Sequence, residues 1–170
     1  VDQDEDELGT YLVKLSRQNL SVHDSHTLSI VLHCIGDFER ISDHAINIME
    51  AAQEMHNKKL TFSPKAEEEL KVFSRAVQDI VEKAYAVFRD QDEKLAQKVE
   101  PLEAVVDDLN QEVKKRHIRR LRNGKCTIEL GFILSDITTS LERVADHCSN
   151  IAVCVTQVRD DTYDTHGYLN

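Results

Sequence analysis

Two stretches of this chain carry residues from which chemistry could be built. "ERISDHAINI", residues 39–48, and "ERVADHCSNI", residues 142–151, share six of ten positions. On a helix, residues four apart stand on one face. Glu39, Asp43 and Asn47 therefore form a ladder, and Glu142, Asp146 and Asn150 form its twin. Each ladder borders an apolar stripe, which would half-bury its carboxylates against a neighbouring helix. A third ExxxD pair, Glu103 and Asp107, lies in "LEAVVDDL". If that helix packs against the next, Glu103, Asp107, Glu142 and Asp146 share one groove. Clustered carboxylates repel unless they are protonated or matched by cations. Hard or borderline ions such as Mg²⁺, Ca²⁺, Mn²⁺ or iron suit oxygen ligands of this kind. In the first copy the counterpart set is Asp2, Glu39 and Asp43.

Two other chemistries fare worse. His44 and His147 each follow the ladder Asp directly, so they point roughly 100° away from it. Solvent, or a place behind the ligands, is the expectation for both. The ExxH spacing of di-iron bundles is absent, which argues against a redox enzyme. No Gly-rich phosphate loop or nucleophile motif occurs, so the chain reads as non-enzymatic. The plainer alternative is that the ladders are solvated. Arg40–Asp43 and Arg143–Asp146 would then be surface pairs worth only ~0.2–0.5 kcal/mol each.

The elements that must position these residues read as helices throughout. The first runs from Val1 to about Gln18, with Leu8, Leu12 and Leu15 on one face. "SVHD" is a capping box that opens a second helix near Ser21, running to about Asn57. Its apolar positions Leu28, Val31, Ile35, Phe38, Ile41, Ala45, Ile48 and Ala52 step by three and four. Ser63 and Pro64 restart the chain as N-cap and first helical residue. "RDQDEK" is a turn, and Pro101 kinks the following helix or marks its start. Gly124 closes that helix, and a last one runs from about Thr127 to Val158. The predicted class is all-α, with short links and antiparallel neighbours.

Composition agrees. The 170 residues include only five Gly and two Pro, which favours long helices. A net charge of −10 disfavours nucleic acid as a partner. The basic run "KKRHIRRLRNGK", Lys114–Lys125, holds seven Lys or Arg. It is either a helix end favoured by the macrodipole or a docking patch for anionic lipid or an acidic partner. Cys34, Cys126, Cys148 and Cys154 lack CxxC spacing and fit buried thiols in a reducing compartment. No run approaches a membrane span. The chain opens at Val1 without Met, straight into "DQDEDE", which reads as a cut fragment.

The two decapeptides are 103 residues apart, and "VDQDEDEL" weakly matches "VDDLNQEV" before them. Residues 61–160 therefore read as a complete three-helix repeat, and 1–60 as a truncated one with two helices. Residues 161–170 read as a frayed tail. A missing opening helix would leave an apolar groove for another chain or another part of the parent protein.

These features together resemble the PhoU family of phosphate-uptake regulators. "CTIELGFILSDITTSLERVADHCSNIAV" is similar to the cytosolic PhoU-like domain that follows the membrane part of bacterial Na⁺/phosphate cotransporters. The resemblance implies tandem three-helix bundles related by a pseudo-twofold. It implies iron, zinc or similar metals held by ExxxD motifs: Glu103, Asp107, Glu142 and Asp146 at one site, and Asp2, Glu39 and Asp43 at the other. Asn47 and Asn150 match the motif's Asn as accessory positions. The implied setting is the cytoplasmic face of a membrane, in a homo-oligomer, with a transporter portion or other phosphate-transport machinery as partner. A purely structural dimerisation bundle is the alternative.

Overall fold

The computed structural model describes residues 1–159; the tail predicted for 161–170 lies outside them. Five long helices and one short one follow in order, with no strand among the described residues. They are α1 (Asp2–Leu15), α2 (Val22–Lys58), α3 (Pro64–Asp90), α4 (Glu93–Ala96), α5 (Val99–Arg122) and α6 (Ile128–Arg159).

The boundaries follow local chemistry. Ser21 accepts from the Asp24 N–H at 3.1 Å and donates its hydroxyl to the Asp24 carboxylate at 2.7 Å, which starts α2. Ser63 caps α3 by accepting from Ala66 N, with Pro64 at the first turn. Pro101 sits in the first turn of α5, where its missing N–H costs nothing. It marks a start rather than a kink, because the chain breaks between α4 and α5. Gly124 takes φ +64° after α5. That left-handed turn lets Lys125 N–H reach the Arg120 carbonyl at 2.9 Å. Thr127 caps α6 through the Leu130 N–H at 3.2 Å.

Helices α3, α5 and α6 pack mutually, with α4 lying against all three. Their shared core includes Phe73, Ile80, Val87, Val106, Leu134 and Ile151, all nearly or wholly buried. The α1–α2 pair joins through α2, whose backbone approaches only α1 and α6. Phe38 on α2 adds an edge-to-face contact with Phe88 on α3, centroids 5.0 Å apart. Lys58 at the end of α2 meets Glu129 at the start of α6, at 2.8 Å. Asp37 meets His147 further along, so the two helices run antiparallel.

This partial cover of α2 corrects two expectations. Ala45 and Ala52 belong to the predicted stripe of α2 but are exposed, while Ile30, Cys34 and Ala51 are buried. Leu8 of α1 is likewise exposed. Covered by α6 and, over part of its length, by the shorter α1, α2 buries a narrower strip than its apolar periodicity spans. Cys34, Cys148 and Cys154 are buried free thiols, and Cys126 is half-buried. Burial pushes the Cys148 thiol up to about 12, which keeps it protonated and inert.

Candidate functional site

The duplicated decapeptides meet at their own equivalent residues. His44 on α2 stacks on His147 on α6, centroids 5.8 Å apart and planes 25° off parallel. Equivalent residues touch one another only where a local twofold axis passes between them. The expectation of solvent for these rings is therefore corrected: each is the other's neighbour. Because each His points away from its Asp, the two carboxylate ladders face outward from the crossing. One turns toward α1 and the other toward α5.

Against α5, ligand oxygens of Glu103, Asp107 and Asp146 lie within 4.8 Å of one another, all half-buried. Against α1, Asp2, Glu39 and Asp43 do the same in a more exposed setting. Glu142 stands apart from its cluster, 4.0 Å from Lys114 Nζ. Its charge is still felt there. Burial lifts the Glu103 carboxyl above its ordinary range, and the charges of Asp107, Asp146, Glu100 and Glu142 add to that. Glu39 is lifted too, by loss of solvation first, then by its hydrogen bond and charge contact with Asp43 and the charge of Asp2, with Arg40 opposing. The surface pair expected between Arg143 and Asp146 is present at 3.1 Å. The donor sets fit a hard cation: all are carboxylates, they lie close together, and a cation would relieve the repulsion that helps lift Glu103 and Glu39.

Asn47 is exposed beside a shallow hollow that also contains His44, Glu50 and Asp136. Asn150 turns instead to α2, donating to Asp37 Oδ1 at 3.4 Å. Asp37 Oδ1 also receives His147 Nδ1 at 2.8 Å. Asp37 thus braces the second motif from the first repeat. Sequence reading missed it. The available signal was asymmetry: the position matching Asp37 in the second copy is Ser140. On the other side of the stack, His44 Nδ1 is buried without a partner. Burial lowers the His44 pKa, helped by the charges of His147, Arg143 and Arg40 and opposed by Asp43.

A second polar cluster was also missed, at the far end of α5. His117 is buried, with Nδ1 3.8 Å from Cys126 Sγ. Its pKa is lowered by burial first and then by Arg120, with Glu69 opposing. A depressed imidazole binds fewer protons folded than unfolded. Its contribution to stability is complete above the ordinary imidazole range near 6.5 and is lost as pH falls below it. Urea midpoints at pH 7.5 and 5.5 are expected to fall further in the wild type than in His117→Gln. Equal falls would refute this.

An all-helical protein with a duplicated helical motif, and with matched carboxylate clusters on either side of the crossing, is the class that fold and site define. A family model for the PhoU domain matches residues 1–52 and 70–155, and the chain belongs to that family. It is similar to the phosphate-specific transport system accessory protein PhoU homolog 1 of Thermotoga maritima, 27% identical over 137 residues, 81% of this chain. It is also 27% identical over 146 residues, 85% of the chain, to the PhoU homolog of Synechocystis. The chain spans 58% and 62% of the lengths of these two relatives. Among the described residues, no helix is long and apolar enough to cross a membrane.

Proposed function

We propose that this chain is a non-catalytic regulatory domain in phosphate uptake that binds metal ions through its two carboxylate clusters. The observation that carries the reading is the pairing of clusters at matched places in both repeats. Glu103, Asp107 and Asp146 would hold one ion, with Glu142 at the rim once released from Lys114. Asp2, Glu39 and Asp43 would hold the other. A bound cation cancels the mutual repulsion of the carboxylates and ties α5 to α6, or α1 to α2. The chain's own residues supply the rest: Asp37 fixes His147 and Asn150, and the histidine stack sets the distance between the two repeats.

The relatives are named as accessory proteins of phosphate-specific transport. By that likeness the partner is phosphate-transport machinery, or a Na⁺/phosphate cotransporter portion of the same parent, at its cytosolic face. Residues 1–60 are then a repeat of two helices and 61–160 a repeat of three. A homo-oligomer is the assembly this reading expects.

The Arg143–Asp146 and Lys114–Glu142 pairs favour a second reading, a structural bundle whose ladders are neutralised internally. Two measurements separate them. Elemental analysis after loading with Mn²⁺, Zn²⁺ or Fe²⁺ is expected to find metal retained by the wild type and lost from Glu103→Gln/Asp146→Asn. Phosphate uptake by cells carrying the parent protein is expected to change with the same substitutions. Metal-free protein together with unaltered uptake would leave only the structural reading.

A further inference from the structure

We propose that the cleft between the start of α3 and the end of α5 binds a phosphorylated organic molecule, with its phosphoryl group among Lys65, Arg119 and Lys125. The cleft is a cavity of about 720 Å³, within the range of small-molecule sites. Two carboxylates reach it, and both are already matched. Glu69 accepts from Arg120 Nη1 at 3.0 and 2.8 Å, and Glu112 accepts from Arg116 Nε at 2.8 Å. Lys65 and Lys125 form no ion pair with a carboxylate among the described residues, and Arg119 only adds its charge to Glu112, already paired with Arg116, in a chain of net charge −10. The cavity is therefore positive after its internal pairs are counted.

The helix dipole accounts for only part of this. Arg119 and Lys125 lie at the negative end of α5, where cations are favoured anyway. Lys65 lies in the first turn of α3, at the positive end, where a cation is disfavoured. It adds charge where the dipole resists it, although Glu68 and Glu69 stand within one turn of it. An anion between the two helix ends removes the conflict. The start of α3 also offers the Lys65 N–H, which has no partner among the described residues, since Pro64 has none to give and Ala66 N–H goes to Ser63. At the back wall, Arg120 Nε and Nη2 lie out of solvent and unpaired. A shift of that guanidinium toward a phosphoryl oxygen would satisfy them.

The organic part follows from the adjoining slot. A cavity of about 530 Å³ shares Lys65, Glu69, Glu112 and Arg116 with the cleft, adds Glu68 at its wall and is floored by Val72, Leu109 and Val113, so it suits an uncharged group. Inorganic phosphate would leave that floor wet, whereas an ester with an aromatic or aliphatic group covers it. A soluble phosphate monoester and a phospholipid headgroup share this chemistry.

Calorimetric titration of the full 170-residue chain separates the sources, with phenyl phosphate, inorganic phosphate and phosphatidic-acid vesicles as probes. Phenyl phosphate is expected to bind about tenfold tighter than inorganic phosphate. Arg119→Glu/Lys125→Glu is expected to weaken it by a further tenfold or more, roughly, with a slightly lower melting temperature, because anions at the end of α5 oppose its dipole but both side chains are exposed. Val72→Ser should narrow the gap between the two soluble probes. Binding to vesicles as well extends the site to lipid headgroups. Binding to vesicles alone would make the patch a membrane-docking surface and overturn the pocket. No binding, equal affinity for ester and inorganic phosphate, or indifference to the charge reversals would overturn it as well.

Discussion

Glu103→Gln is expected to raise the melting temperature of the metal-free chain at pH 7 and, combined with Asp146→Asn, to abolish its response to added Mn²⁺. The first effect comes from charge. Burial, and then the carboxylates around it, hold the Glu103 carboxyl above its ordinary value of 4.5. The folded state therefore binds more protons than the unfolded state just above that value. Stability falls as pH rises from there through the raised folded-state value. Gln keeps the shape and removes the charge. The second effect is linkage. A cation that binds only the folded state stabilises it by about 2.7 kcal/mol at a concentration 100 times its Kd. For a chain of this size that is a shift of roughly 5–10 °C. The wild type should show this rise in a thermal melt and the double variant should not. A solvated glutamate would give neither effect, so a flat response in both proteins would remove the metal reading of this cluster.

Glu69→Ala is expected to cost about 3–5 kcal/mol, measured as a lower urea midpoint. Glu69 and Arg120 are each only 14% exposed, and both oxygens of Glu69 accept from Arg120 Nη1. Removing the carboxylate strands a guanidinium whose Nε and Nη2 already lack partners. Arg89–Asp90, on the surface, is shorter at 2.7 Å, yet Asp90→Ala should cost no more than about 1 kcal/mol. Burial decides the difference, not length. Glu69→Met with Arg120→Leu should recover most of the loss, because the pair is then replaced by apolar packing. If the double substitution is as harmful as the single one, the penalty is not a stranded charge.

What could be read in the sequence was whatever depended on neighbours in sequence. Ser21–Asp24, Ser63–Pro64 and Gly124 are local chemistry, and each set a boundary where its residues stand. The all-helical class and the PhoU family followed from periodicity and from the repeated motif. The grouping of Glu103 and Asp107 with Asp146 needed one further step, the packing of adjacent helices. Beyond that, sequence reading stopped. That His44 would lie on His147 depends on the register at which α2 and α6 cross, which no local pattern encodes. Asp37 became meaningful only at that crossing. Ala45 and Ala52 fit the period of α2 but not its partial cover, so helical spacing overstated what is buried. Glu142 fits the ladder by spacing, while its side chain is drawn to Lys114 on α5.

Gly131 sits within α6 where a Cβ would stand 2.8 Å from His117 Nε2. A glycine inside a helix ordinarily costs about 1 kcal/mol relative to alanine. Here it makes room for the buried imidazole. Alanine at 131 becomes permissible once position 117 holds a smaller side chain, and is obstructed until then. The two positions, on separate helices, therefore form one heritable unit, and descendants of this sequence should exchange them in that order or keep both.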